Sequence, residues 1–272
     1  MHQRVDADLK DQVKTFWEDN PCDVKDTGSP FDAAYFDALS RQRYTSHPYI
    51  PEFAEFERWC GKRVLEVGVG AGSDFCRWVE AGAQAVGIDL TAQAAQLTTQ
   101  RLALGAQSAT VNIADCEHLP FDDNVFDLCY SFGVLHHTPD TERAIGEVFR
   151  VLKPGGQIRI MLYHTMSWVV FKVYLLHGLL ALRPFASIDS LLADHMESQG
   201  TKAYTMAQAQ TLFAQFADVR VQPTLTCYDT WRGYQTREGA LFKVAKQLWP
   251  AWFIQRLGDR YGWNLLISGV KA

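Results

Sequence analysis

The chain has 272 residues, 47% hydrophobic and 21% charged, so it can bury a substantial core and lacks the composition of a disordered chain. A net charge of −5 and a pI near 5.9 exclude the basic surplus usual for a protein that works on nucleic acid. The charge is uneven: residues 1–60 hold 12 acids against 7 bases, residues 61–200 hold 15 against 10, and residues 201–272 hold 4 against 9.

Six cysteines are scattered at positions 22, 60, 76, 116, 129 and 227, with no C-x-x-C pair and no zinc spacing. Reduced thiols and no metal site are expected. The opening Met1–Asp8 has no apolar signal core, so export is not expected and the cytoplasm is the predicted compartment.

In chain order, residues 1–60 are polar but dense in aromatics, from Phe16 and Trp17 through Tyr44 to Trp59, and Pro21, Pro30 and Pro48 punctuate them. Short helices and turns are predicted, forming a lid or extension that lies against something larger. From Lys62 the pattern changes. Residues 63–67 read as a buried strand running into glycines, followed by a helix over 73–80. A second strand is predicted over 85–89, and a helix over 91–104 that Thr91 can cap. Strands over 109–113 and 125–130 follow, then a helix over 140–152, broken by Lys153-Pro154-Gly155-Gly156, and a strand over 157–163. Strands alternating with helices at these lengths imply an α/β fold with a parallel sheet covered on both faces.

After Tyr163 the alternation stops. Residues 165–185 are strongly apolar, 220–225 read as a sixth strand and 265–270 as a last one. Three parts are therefore expected: a helical extension over 1–60, an α/β core over 61–164, and the remaining strands over 165–272. The third part carries two aromatic-rich insertions, near 165–205 and 227–262.

The most informative stretch is Val64-Leu65-Glu66-Val67-Gly68-Val69-Gly70-Ala71-Gly72-Ser73-Asp74. A strand runs into alternate glycines, which let the backbone approach a ligand with no Cβ in the way, and then into a helix. The dinucleotide fingerprint G-x-G-x-x-G requires glycine at 73, where this chain has serine. The other reading is G-x-G-x-G preceded by the acid Glu66. Asp89, followed by Leu90, ends the second strand, where an acid can accept bonds from ribose hydroxyls. Asp115-Cys116-Glu117 follows the third strand, Ser131-Phe132-Gly133-Val134-Leu135-His136-His137 ends the fourth, and Leu152–Gly156 turns into the fifth.

These five elements, in order over residues 63–164, resemble the class I S-adenosylmethionine-dependent methyltransferases. The resemblance implies a Rossmann-like seven-stranded sheet whose last strand is antiparallel, with S-adenosylmethionine bound at the strand ends and S-adenosylhomocysteine as product. By position it puts Glu66 at the methionine amino group, and Gly68, Val69, Gly70 and Gly72 beneath the methionine and ribose. It puts Asp89 and Leu90 at the ribose, Asp115 and Cys116 at adenine, and the backbone of Ser131, Phe132 and Gly133 at the methionine side. More narrowly, Phe16-Trp17 with Pro21-Cys22, Arg43-Tyr44 with His47-Pro48, and Tyr163-His164 with Ser167-Trp168 are similar to a bacterial subgroup without a settled acceptor.

Transfer to oxygen or nitrogen also releases a proton, and histidine is the side chain suited to take it near neutral pH. His136, His137 and His164 all fall at predicted strand ends, and each is a candidate base. The Asn/Asp-Pro-Pro-aromatic tetrad of enzymes that methylate adenine bases is absent after the fourth strand, which with the acidic pI argues against nucleic acid. Residues 160–182 are interrupted by Lys172 and His177, too soon for a membrane span. A buried cap helix is the first reading there, and a surface helix dipping into a membrane the second. The insertions favour a small-molecule or amphiphilic acceptor, methylated at oxygen. The alternatives are carbon methylation of a quinone- or isoprenoid-like acceptor, or a non-catalytic cofactor-binding protein in an assembly.

Overall fold

Seven strands form one sheet: β1 (Arg63–Val67), β2 (Gln84–Asp89), β3 (Thr110–Ile113), β4 (Phe126–Phe132), β5 (Leu152–Tyr163), β6 (Ala217–Thr224) and β7 (Asn264–Val270). The computed structural model describes residues 2–22, 24, 31–195, 198, 200–230 and 249–272. The sheet order is β3-β2-β1-β4-β5-β7-β6, with β1 to β5 parallel and β7 antiparallel to both its neighbours. The strand order reverses between β1 and β4, and in such sheets a crevice opens there at the carboxyl ends of the strands.

Alternation along the strands divides the core into two layers, because successive side chains leave opposite faces. Val64, Leu128, Tyr130, Phe132, Met161, Tyr163 and Leu266 face one layer, with Phe75 and Trp78 of α4 (Ser73–Glu80). Leu65, Val67, Cys129, Ile158, Ile160, Leu162 and Ile267 face the other, against Ile145 and Val148 of α6 (Thr141–Val151). The glycine loop enters α4, and α5 (Ala92–Leu104) begins at Thr91, whose hydroxyl accepts the Ala94 N–H as predicted.

The N-terminal part consists of α1 (His2–Asp19), α2 (Ala33–Ser46) and α3 (Ile50–Ala54). α1 is tied to the sheet domain by Glu18, whose carboxylate accepts the N–H groups of Ala92 and Gln93 at the first turn of α5. An acid at a helix N-terminus satisfies orphan donors and meets the positive end of the helix dipole.

Two predicted elements differ in detail. β5 starts at Leu152 instead of 157, because Leu152 already pairs with Phe126 before Lys153–Gly156 bulge out and pairing resumes at Gln157–Leu128. The apolar run over 165–185 is not one buried helix. α7 (Trp168–Val173) buries Val169, Val170 and Val173, then passes into a π-helical turn over Tyr174–Leu179, beyond which Leu180, Leu182 and Phe185 stand in solvent. Further on lie α8 (Ile188–His195), α9 (Met206–Leu212), α10 (Cys227–Thr230) and α11 (Ala251–Leu257). Most of the second insertion, including Trp231, Tyr234, Phe242 and the basic residues Arg232, Arg237, Lys243 and Lys246, lies outside the described residues. No described helix is long and apolar enough to cross a membrane.

Candidate active site

The loop after β1 is built for close approach. Gly68 has φ +84°, and a Cβ there would stand 2.2 Å from Val134 Cγ2, so the β1 and β4 loops touch only because position 68 has no side chain. Gly70 has φ +53°, and a Cβ there would meet nothing nearer than Cys22 Cβ at 3.9 Å. Its open side faces a cleft of about 1110 Å³, solvent at the mouth included, at the reversal between β1 and β4.

The cleft collects most of the predicted cofactor residues. Glu66 and the backbone from Gly68 to Ala71 form one wall; Asp89 and Leu90 follow at the end of β2, and Asp115 and Cys116 after β3. Phe132 and Gly133 close the β4 side, with His137 beyond. Ser131 differs from the expectation. It is fully buried beneath the wall and donates its hydroxyl to Val67 O at 3.0 Å, because position 131 points to the opposite sheet face from Phe132.

Asp89 is already engaged. Its Oδ1 accepts from Thr91 N at 3.0 Å and Thr91 Oγ1 at 2.8 Å, and its Oδ2 accepts from Gly70 N at 3.0 Å. A carboxylate offers about four acceptor sites, so these bonds fix its orientation and leave the remaining capacity on Oδ2. Burial pushes the Asp89 carboxyl above its ordinary value, and the bonds from Thr91 and Gly70 work against that shift.

The two buried acids of the β1–α4 unit behave differently. Asp74 accepts Arg43 Nε at 2.9 Å and Nη2 at 2.5 Å, and the hydroxyls of Tyr130 at 2.7 Å and Tyr44 at 3.1 Å. Burial opposes its charge, but Arg43 and the two hydroxyls outweigh burial and hold the carboxyl below its usual range. Glu66 accepts the Trp78 indole N–H at 2.8 Å, and burial with the nearby Asp74 charge pushes its carboxyl well up. The negative charge of this unit therefore resides on Asp74, beside Arg43.

The three candidate histidines separate cleanly. His137 lines the cleft, and the Trp17 ring meets it edge-on at 5.2 Å. Its Nδ1 lies 3.0 Å from Thr201 Oγ1 and 3.1 Å from Ser198 Oγ. Thr201 donates its own hydroxyl to Ser198 O at 2.6 Å, and His137 Nε2 is shielded from solvent. His136 does not reach the cleft. It is sealed between His137 and Tyr163, with ring centroids at 4.2 and 3.9 Å, neither ring nitrogen has a hydrogen-bond partner, and burial holds it neutral. His164 also lies apart from the cleft, its Nδ1 bonded to Gly262 O at 3.0 Å where β5 meets the start of β7. Burial lowers it as well.

Residues that sequence reasoning did not single out come from the N-terminal helices. Lys10 of α1 lines the cleft and donates to Asp115 Oδ2 at 2.6 Å and to Glu117 Oε2 at 2.5 Å. Val13, Trp17 and Arg43 line it too. The bacterial-subgroup motifs contain Trp17 and Arg43, but nothing in the sequence pairs Arg43 with Asp74 or Lys10 with Asp115. No group of three or more potential metal ligands occurs among the described residues.

Residues 65–160 match the family model of a methyltransferase domain. The chain is also similar in sequence to curated methyltransferases. It is 31% identical over 116 residues to the ubiquinone/menaquinone biosynthesis C-methyltransferase UbiE of Geotalea daltonii, covering 40% of this chain and 49% of that protein. It is 34% identical over 113 residues to the malonyl-[acyl-carrier protein] O-methyltransferase of Erwinia billingiae, covering 39% of this chain and 40% of that one. The chain spans half or less of the length of the curated relatives it matches. Among solved structures it resembles a chain of the complex between the Haloferax volcanii Trm112 methyltransferase activator and a methyltransferase. The TM-score is 0.58 at 18% identity, over 91% of this chain and 99% of that one. At that identity the likeness is one of fold. The methyltransferase domain thus coincides with β1 to β5 and their helices, while α1, α2 and everything beyond Tyr163 lie outside the matched residues.

Asp74 generates a prediction about stability. Asp74→Asn removes the buried carboxylate that Arg43 pairs with and is expected to cost about 3–5 kcal/mol. The folded carboxyl titrates below its unfolded value, so the stability it contributes is present above the unfolded value and lost as pH falls through the folded one. The gap in Tm between wild type and Asp74→Asn should therefore be wide at neutral pH and narrow on acidification. A constant gap would count against the ion pair.

Proposed function

We propose that the protein transfers the methyl group of S-adenosylmethionine to a small-molecule or lipid-like acceptor, at oxygen, with His137 taking the released proton. The observation that supports this reading is the convergence of the glycine loop, Asp89, Asp115 and His137 on one cleft. The cradle fits the cofactor: Gly68 admits the approach of Val134, Gly70 leaves its open side to the cleft, and acids stand after β1, β2 and β3.

When bound, S-adenosylmethionine supplies a methyl group on a sulfonium, a good leaving group for in-line displacement. The chain's own residues then mainly align and neutralise. Glu66, at the end of β1, takes the methionine ammonium, and its buried carboxyl ionises against that charge. The backbone of Gly68 to Gly72 carries the methionine and ribose, Asp89 with Leu90 holds the ribose, and Asp115 with Cys116 holds adenine. Phe132 and Gly133 bound the methionine side, and Lys10 and Trp17 close the cleft from α1. His137, which lines the cleft, accepts the acceptor's hydroxyl proton.

Carbon methylation is the second reading, favoured by the name of the Geotalea daltonii relative, a C-methyltransferase. The two readings part at His137. His137→Asn should lower kcat by about 10²–10⁴-fold with S-adenosylhomocysteine affinity nearly intact, whereas His164→Asn should leave turnover near wild type. If His137→Asn turns over normally on the true acceptor, proton transfer to His137 is wrong and the carbon reading gains.

Two binding measurements address the cofactor side without an acceptor. Asp89→Ala should weaken S-adenosylhomocysteine by at least about tenfold in calorimetry, through lost charged hydrogen bonds and a loosened Gly70–Thr91 tie. An affinity within a factor of about two of wild type would sink the ribose assignment. Burial and the Asp74 charge push the Glu66 carboxyl up, and it must be ionised to meet an ammonium, so affinity should rise with pH. Glu66→Gln should flatten that slope, and a slope unchanged in the variant would show that another group carries it.

A further inference from the structure

Most of the large apolar side chains that stand in solvent belong to two stretches, residues 166–185 and 252–257. Leu182 and Phe185 are 90% and 98% exposed and bracket Arg183 and Pro184. On α11, Trp252 is 69% exposed, Phe253 and Leu257 stand beside it in solvent, and Arg256 is exposed one turn on from Trp252, while the fully buried Ile254 anchors the opposite side. The fold brings the two stretches together, since α7 and α11 both pack on α10, and the rings of Phe171 and Trp249 stand 6.4 Å apart.

A surface meant only for water spaces such side chains singly. Leucines, phenylalanine and tryptophan mixed with arginine are the composition of a segment that lies in a lipid interface. There the arginines keep their guanidinium groups at the head groups while their neighbours enter the acyl boundary. The charge distribution selects the kind of surface. Residues 166–185 and α11 hold Lys172, Arg183 and Arg256 and no acid, with Asp194 of α8 lying 3.7 Å from Arg183. Residues 1–200 as a whole hold 17 bases against 27 acids, so an anionic bilayer favours this face over the rest of the surface.

The same face leads inward. Lys172 of α7 stands over the Trp249 ring at 5.6 Å and donates to Tyr228 O at 2.7 Å. The Tyr228 ring lies 6.2 Å from His47, and His47 lies 5.6 Å from Phe132, which walls the cleft. Aromatic contacts therefore run from the exposed apolar face to the wall of the candidate active site.

We propose that the face formed by residues 166–185 and α11 docks on an anionic lipid bilayer, and that the methyl acceptor is an amphiphile taken from that bilayer. The second half rests on the proposed transfer; the docking does not. The test uses the full chain and no acceptor. It should co-sediment with vesicles of mixed phosphatidylglycerol and phosphatidylcholine, bind pure phosphatidylcholine vesicles far less, and lose binding as salt is raised. The double substitution Leu182→Ser with Phe185→Ser, and separately Trp252→Ser, should each weaken vesicle binding by at least about tenfold. S-adenosylhomocysteine affinity should be unchanged in both, which shows that they fold. Wild type that stays in solution with anionic vesicles overturns the docking, and so does a double variant that binds them as well as wild type. A dimer that the double variant dissociates, with no vesicle binding, also overturns it and gives the face to a second copy of the chain. Vesicle binding without any affinity for S-adenosylhomocysteine would sink the transfer reading and leave the docking standing.

Discussion

The bond between Arg43 and Asp74 organises the site. Asp74 opens α4 directly after the glycine loop, and its side chain is almost wholly buried. A bare carboxylate there would be expelled or protonated. Arg43 reaches it from α2, the Tyr130 hydroxyl from β4 and the Tyr44 hydroxyl from α2, so one anion ties the N-terminal helices, the loop and the central strand together. The Arg43 guanidinium also lies over the Phe132 ring at 5.1 Å, which fixes the wall of the cleft that the acceptor would meet. With that charge settled on Asp74, the Glu66 carboxyl beside it is pushed up by burial and by its neighbour.

A similar economy holds where the cleft meets the end of β3. Lys10 neutralises Asp115 and Glu117, while Glu117 also accepts the Asp140 N–H at 2.9 Å and the Thr138 hydroxyl. Glu18, two turns further along α1, caps α5. One helix thus grips the ends of β2 and β3 at two points, and a ligand entering the cleft passes under it. The ion pairs are partly exposed, so each contributes modestly and is weakened by salt. That suits a cover that must open more easily than the sheet beneath it.

The sheet was legible in the sequence because each strand and helix carries its own period. β1 and α4 have the predicted boundaries, Thr91 caps α5, and the alternation of β4 separates Phe132 from Ser131. That most of the singled-out loop residues share one cleft was legible for a related reason, since they lie in short loops at fixed places after consecutive strands. Arg43 and Lys10 were not legible as partners of Asp74 and Asp115. They act across 31 and 105 positions of sequence, and no periodicity encodes which surface an N-terminal helix will cover. The apolar run over 165–185 misled for a third reason. Hydrophobicity alone does not tell a buried helix from one that stands in solvent at a surface.

The histidines show how much a strand-end position leaves undecided. His136 and His137 are neighbours in the same loop, and His164 occupies the equivalent place one strand over. Yet the first is packed against the tilted Tyr163 ring and the last is spent on Gly262 O. What distinguishes His137 is its company: α1 brings Trp17 onto its ring, and the segment before α9 brings Ser198 and Thr201 to its Nδ1. Both lie outside the matched methyltransferase domain, which ends at residue 160. The residues matched to the family model place the imidazole on the wall of the cleft, and the flanking segments supply what packs against it. The surroundings of that side chain are therefore set by segments outside the match, and the curated relatives named for carbon and for oxygen methylation are matched over less than half of their length.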